Sequence, residues 1–187
     1  SWQGARAIEL PFSTNDLHFT PNYNNQDMSR ILLLILFSTF SICSQAQEVY
    51  DMVLDNATRI VNSPTSSFLN TQIAQFKRTA LIYIKSKAFE RTDSVPAKFL
   101  NTQAYYLTEF LNLFFAEMIK IKDLPEKARK QRILRFMDAS ACNPLFHDPD
   151  EETTLSFVEN GGEVTPFSLD TDWQKAYLAA KANVEKE

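Results

Sequence analysis

The amino-acid sequence predicts an all-α protein: a single helical bundle of about five or six helices, with a central apolar helix near 97–121. Three observations predict this fold class. The 187 residues include only three glycines but fifteen phenylalanines, which favours long helices around an aromatic core. Apolar residues recur at alternating spacings of four and three, as they do on one face of an α-helix. No segment shows the sustained β-branched alternation that is typical of strands.

The first three helices are predicted from their apolar stripes. The first lies near 48–62 and ends before Pro64, because proline cannot continue a helix. The second starts near 66–67 and ends near Arg91, and the third starts near Pro96. Seven apolar positions of the third helix keep the four-three alternation: Leu100, Ala104, Leu107, Leu111, Phe114, Met118 and Ile121. Further phenylalanines widen this stripe to most of the circumference, so we expect neighbours on several sides.

The last three helices are predicted from capping signals. The fourth is capped by Asp123, with Glu126 three residues later in a capping-box arrangement. The fifth is short: Asp148 caps it, Pro149 takes the first helical position and Gly161 ends it. The sixth helix is capped by Asp170. Its apolar face carries Trp173, Tyr177, Ala180 and Val184.

The composition excludes several classes of function. Phosphate-binding loops need several glycines close together, because glycine lets backbone N–H groups converge on an anion. With glycine only at Gly4, Gly161 and Gly162, a P-loop and a dinucleotide-binding fingerprint are excluded. Two histidines, His18 and His147, exclude a multi-histidine metal site. We expect no cofactor.

Residues 28–46 have the order of a secretory signal peptide: a positive start, an apolar run and a small-residue cleavage site. These parts are Met28 to Arg30, 31–40, and Ser44 with Ala46. The apolar stretch of about twelve residues is shorter than the roughly twenty that span a bilayer. We therefore expect export, with a mature chain that starts at Gln47 and does not span the membrane. Lipidation at Cys43 and a buried core helix over 31–42 are the alternatives.

Three parts of the chain follow from this interpretation. Residues 1–27 would be an upstream extension outside the fold, with Met28 as the true initiator. Residues 47–187 would form the helical domain. The first 46 residues hold two of the nineteen basic and three of the twenty-three acidic residues, so the domain is mildly acidic. An acidic domain is a poor binder of nucleic acid, and its one remaining cysteine, Cys142, cannot form an internal disulfide.

The nearest approach to a metal site is an acidic run beside a histidine: His147, Asp148, Asp150 and Glu152. Loop carboxylates can gather oxygens around calcium. The same residue types suit a helix N-terminus, where carboxylates meet unpaired N–H groups and the positive end of the helix dipole. We therefore expect Asp148 to be a helix cap, with no metal site and no catalytic residue in the chain.

Three further features have both a functional and a structural interpretation. Cys142 and His147 suggest a thiolate–imidazole pair, although a buried structural thiol is favoured. Asn112 either lines a ligand cavity or forms a hydrogen bond across the bundle or at an exposed flank. A basic cluster suggests a patch for an anionic partner, but a solvated helix face neutralised by the acidic segments is favoured. Its members are Lys127, Arg129, Lys130, Arg132 and Arg135.

Two segments resemble small exported all-helical proteins of uncharacterised function from Bacteroidetes-type bacteria. These segments are Asp148-Pro149-Asp150-Glu151-Glu152-Thr153-Thr154 and Thr165-Pro166-Phe167-Ser168-Leu169-Asp170-Thr171-Asp172-Trp173. The resemblance covers about 28–187. It implies a periplasmic, cell-surface or secreted location, and it carries no catalytic residues onto this chain.

Two function classes follow from the sequence. The first is a non-catalytic, exported interaction or binding module of the cell envelope, whose partner is a protein, a peptide or an apolar ligand. The second is a metal-dependent or hydrolytic enzyme that uses His147 and neighbouring carboxylates. Because His, Cys and Gly are scarce, the first class is favoured.

Overall fold

Five α-helices and one β-hairpin are present in the computed structural model, which describes residues 48–148, 151–157 and 163–186. The elements in chain order are α1 (Val49–Val61), α2 (Phe68–Arg91), α3 (Ala97–Ile121), α4 (Glu126–Ala141), β1 (Glu152–Phe157), β2 (Glu163–Ser168) and α5 (Trp173–Glu185). The prediction of a mainly helical chain is confirmed. The predicted extension at 1–27 and the signal peptide at 28–46 lie outside the described residues.

The all-α prediction is wrong in one respect, because a two-stranded antiparallel sheet stands where the fifth helix was expected. Leu155 of β1 lies opposite Thr165 of β2, and both side chains are buried. Their neighbour Thr154 is exposed, so burial follows the two-residue period of a strand. The threonines of both strands are β-branched and suit this pleated, half-buried surface. Asp148 therefore caps no helix, and Pro149 and Gly161 lie outside the described residues.

Two other predicted caps are also wrong. Asp123 does not cap the fourth helix, because α4 begins only at Glu126, after Pro125. Proline pushes the residue before it out of the helical region, so the helix cannot start earlier. Asp170 does not cap the last helix. Asp172 does so, by accepting a hydrogen bond from the backbone N–H of Lys175 at 3.3 Å.

Helix α3 contacts each of the other four helices of the described chain. Its side chains Leu107, Leu111 and Phe114 are at most 1% exposed, as its apolar stripe predicted. The hairpin lies between α2 and α4, because β1 contacts α2 and β2 contacts α4. The helices and the hairpin therefore share one hydrophobic core.

Aromatic side chains from different elements form the centre of this core. They are Phe76 of α2, Phe110 and Phe114 of α3, Phe136 of α4, Phe167 of β2 and Trp173 of α5. Their rings meet edge to face, with centroids 5.3–5.9 Å apart. Each such pair contributes about 0.5–1.5 kcal/mol beyond the burial of its apolar area. The aromatic core predicted from fifteen phenylalanines is thus present, and Trp173 and the hairpin help to build it.

Candidate functional site

The loop at 142–148 holds two of the four residues considered as metal ligands. The Asp148 carboxylate forms an ion pair with Lys87 of α2, with 2.7 Å between Oδ2 and Nζ. His147 is exposed, and Glu152 lies exposed on β1. Asp150 lies outside the described residues. Within the described parts of the chain, no three His, Cys, Asp or Glu side chains lie close enough to hold a metal ion.

A buried carboxylate, that of Asp170, holds this loop in place. Its Oδ1 accepts the backbone N–H groups of Leu145 at 3.0 Å and Phe146 at 2.6 Å. Its Oδ2 accepts the backbone N–H of Asp148 at 2.7 Å. His147 has a left-handed backbone with φ of 57°, and this conformation lets the neighbouring N–H groups converge. The chain thus builds an anion-binding loop without glycine, and its own Asp170 carboxylate occupies it.

Helix α2 holds the other side of the same loop. The Tyr83 hydroxyl donates to the carbonyl of Asp148 at 3.2 Å, and Arg91 donates to the carbonyl of Phe146 at 2.6 Å. The Arg91 guanidinium also lies over the Phe146 ring, 5.1 Å from its centroid. The hydrogen bond to Asp148 raises the pKa of Lys87 above its usual value. These contacts engage the Asp148 carboxylate in an ion pair that anchors the loop to α2.

A second buried polar group joins the start of α5 to α3 and α4. The Gln103 amide donates to the Asp172 carboxylate at 3.3 Å, and its oxygen accepts the backbone N–H of Trp173 at 2.9 Å. Ser140 and Thr171 share a hydrogen bond of 2.8 Å between their hydroxyls. The sequence analysis missed this network. Its one sequence signal was Gln103, a polar residue inside the apolar stripe of α3.

Cys142 and His147 form no catalytic pair in the described chain. Both residues are exposed, and no hydrogen bond joins their side chains. The prediction of a buried thiol is also wrong, because Cys142 lies just past the last turn of α4 and its side chain meets solvent. Asn112 donates to the Glu109 carboxylate on its own helix at 3.5 Å, so this bond does not cross between helices.

The basic cluster of α4 finds acidic partners nearby. Lys130 pairs with Glu126 one turn earlier, with 2.5 Å between the charged atoms. Arg132 lies 4.0 Å from the carboxylate of Glu117, which is buried on α3 and also pairs with Lys120. A shallow cleft between α4 and α5 opens beside Arg132. Acidic residues of α3 and α4 therefore pair with Lys130 and Arg132 of this cluster.

Lys77 is a partly buried cation on α2 that the sequence analysis did not single out. It lies in register with Ile73, Ala80 and Ile84, the inward-facing positions of the helix. Burial lowers the pKa of Lys77 to about 8, although the negative charge of Glu109 opposes this shift. The sequence signal for this residue was that Lys77, a basic residue, stands at a core-facing position among the apolar residues of α2.

The face of α2 that points away from the core carries a line of four side chains, three of them large and apolar, called here the α2 outer stripe. Its members are Phe68, Gln75, Ile82 and Phe89, spaced seven residues apart. Phe68 is 59% exposed, Ile82 48% and Phe89 49%. Residues seven apart lie almost directly above one another on a helix. Arg78 and Lys85 follow one flank, where the Lys85 ammonium lies 5.2 Å from the ring centroid of Tyr50 in α1.

Comparison with protein-family models, curated proteins and solved structures found no match to this chain. No described helix combines the length and the hydropathy needed to cross a membrane.

Proposed function

We propose that this protein is an exported, non-catalytic interaction module of the cell envelope, in which a helical bundle centred on α3 displays the α2 outer stripe to a protein or peptide partner. The observation that carries this proposal is the alignment of Phe68, Ile82 and Phe89 along the exposed face of a helix whose other face lies in the core. The export part rests on the signal-peptide pattern at 28–46.

The arrangement of these side chains is the basis of the argument. Single exposed apolar residues are normal on a protein surface and need no partner. Here three large ones share a line that runs from position 68 to position 89, and these 21 steps rise about 32 Å along the helix at 1.5 Å per residue. Large apolar side chains with few charges between them are typical of the centre of a protein–protein interface. Gln75 lies on the line itself, Thr79 and Ser86 lie along one side of it, and the charged residues Arg78 and Lys85 lie along the other.

No contact in the described chain favours the enzymatic alternative. Asp148, which follows His147, is engaged by Lys87, and Asp170 is engaged by three backbone N–H groups of the same loop. A general base or a metal ligand needs a free lone pair directed at the reacting site. The contacts of these carboxylates are those of a structural loop anchor.

Site-specific photo-crosslinking in the native envelope tests the proposal. A photoreactive phenylalanine at Ile82 is compared with the same residue at Gln174, which is exposed on α5. We expect a cross-linked species of discrete mass from position 82 and none from position 174. Equal yields from both positions, or no adduct from position 82, would contradict an interaction surface on α2.

A further inference from the structure

We infer that the partner segment for the α2 outer stripe is an amphipathic α-helix whose own apolar stripe is flanked by carboxylates. This inference rests on the proposed function, because it names the partner class for the same surface.

The spacing of the stripe indicates a helical partner. Two helices that cross at a shallow angle meet every seven residues, which is the spacing of the four stripe positions, with Phe68, Ile82 and Phe89 at three of them and Gln75 at the fourth. Between these large side chains lie smaller ones, including Thr79 and Ser86. A partner helix can place its apolar side chains in the gaps that they leave. The 24 residues of α2 provide enough length for several such layers.

The charges beside the stripe indicate an acidic partner. Helix α2 carries five basic residues and one acidic residue, although the whole chain has a net charge of −4. Arg78 and Lys85 flank the stripe, and neither forms an ion pair with any described residue. The acidic residue, Glu90, pairs with Lys87 at 3.4 Å. Carboxylates on the partner would form ion pairs with Arg78 and Lys85. Opposite charges at such flanking positions determine which helices pair with each other.

The same charges disfavour a second copy of this chain as the occupant. In an antiparallel pair of α2 helices, Phe68 of one copy would face Phe89 of the other, and Gln75 would face Ile82. The two-fold axis would then pass between positions 78 and 79, so the two Arg78 side chains would meet across it. Like charges at such positions destabilise a helix pair.

The polar residues of the outer face disfavour a lipid surface. A helix that lies in a membrane interface buries a continuous apolar face among the lipid chains. Here Thr71, Gln75 and Thr79 lie between the apolar side chains, so polar groups interrupt the face and it would not enter the lipid chains as one apolar surface.

Two synthetic peptides test the inference with the purified protein. Both are helical, with leucine at heptad positions, and they differ only in carrying glutamate or lysine at the flanking positions. We expect the glutamate peptide to bind about tenfold tighter or more than the lysine peptide, as measured by fluorescence anisotropy. Arg78→Glu combined with Lys85→Glu should reverse this preference, and Ile82→Ser should weaken binding of both peptides.

The matched control changes the same charges elsewhere. Lys98→Glu combined with Lys186→Glu alters two exposed lysines that lie outside α2 and should leave the preference for the glutamate peptide unchanged. Equal binding of the two peptides, or a preference that ignores charge reversal at 78 and 85, would overturn the inference. So would binding to phosphatidylglycerol vesicles that is lost in Ile82→Ser, or a dimer in sedimentation analysis that this variant abolishes.

The two proposals fail in different ways. If the photoreactive residue at position 82 captures a partner in the envelope but the charge reversal leaves its yield unchanged, the interaction module stands and the acidic-helix inference is wrong. If position 82 captures nothing and neither peptide binds, the interaction surface on α2 is itself wrong.

Discussion

The carboxylate of Asp170 accepts the backbone N–H of Phe146 at 2.6 Å, across 24 residues of sequence. Together with the N–H groups of Leu145 and Asp148, this bond fixes the segment between α4 and β1. The Asp170 side chain is only 2% exposed, so water cannot easily replace it as the acceptor.

Asp170→Ala should therefore destabilise the fold. The substitution leaves buried N–H groups without an acceptor, and we expect a loss of about 2–4 kcal/mol in the free energy of unfolding. Asp170→Asn keeps one acceptor oxygen and should cost less. Urea denaturation measures both, with the exposed Asp138→Ala as the control. If Asp170→Ala has the same urea midpoint as the wild type, the loop does not depend on this carboxylate.

Lys77→Met should stabilise the protein at neutral pH and flatten its pH dependence. The unfolded lysine keeps its proton up to about pH 10.5, whereas the folded one loses it near pH 8. Between these values the unfolded state binds more protons, so wild-type stability rises with pH across this window. At about 1.4 kcal/mol per pKa unit, the variant should gain roughly 1–3 kcal/mol at pH 7.

Chemical denaturation at pH 7, 8, 9 and 10 measures this effect. The control is Lys98→Met, which changes an exposed lysine and should keep the wild-type slope. If Lys77→Met still gains stability between pH 8 and 10, the Lys77 ammonium is not the group that titrates.

Asp148→Asn should lower the thermal midpoint through loss of the Lys87 ion pair and not through loss of a metal. Both partners are partly exposed, so the decrease should be smaller than for Asp170→Ala and should shrink in high salt. Millimolar calcium, zinc or a chelator should leave the wild-type melting curve in place. A midpoint that rises with metal concentration in the wild type, and not in the variant, would restore the metal hypothesis.

If the protein is exported as proposed, its mature chain should start at Gln47. Intact-mass measurement of the protein made in its own host checks this start. A chain that retains residues 31–46 would contradict simple cleavage, and a diacylated Cys43 would support the lipoprotein alternative.

Residues 1–27 are expected to add nothing to stability. Their deletion should leave the thermal midpoint unchanged in a calorimetric scan. A decrease of several degrees, which corresponds to about 1 kcal/mol in a domain of this size, would show that the segment belongs to the fold.

Patterns within one segment were predictable from the sequence. Helix α3 was found because its apolar side chains repeat over seven positions, and its observed span, Ala97–Ile121, matches the prediction. The hairpin was missed because each strand has only six residues. The residues just before it are acidic and include Pro149, and these residue types are also typical of a helix start. Tertiary packing determines whether such a segment forms a helix or a strand, so its local sequence pattern alone cannot.

Contacts between distant segments were not predictable. Gln103 meets Asp172 across 69 residues, and Asp170 meets the loop across 22 to 25. Each residue alone has an ordinary interpretation: a polar position on a helix, or an aspartate near a helix start. The α2 outer stripe was hidden for a related reason. The apolar residues of α2 surround the helix, and only the packing shows which of them remain exposed.

The pairing of Phe76 with Phe167 and Trp173 has a consequence for the order of folding. A chain that leaves a ribosome or a translocation channel N-terminus first releases α2 and α3 well before β2 and α5. Until those last elements arrive, the inner faces of α2 and α3 remain uncovered, and contacts of such long sequence separation form slowly. The nascent chain therefore passes through a stage in which Phe76 and Phe110 are accessible to chaperones, and the final helix ends that stage.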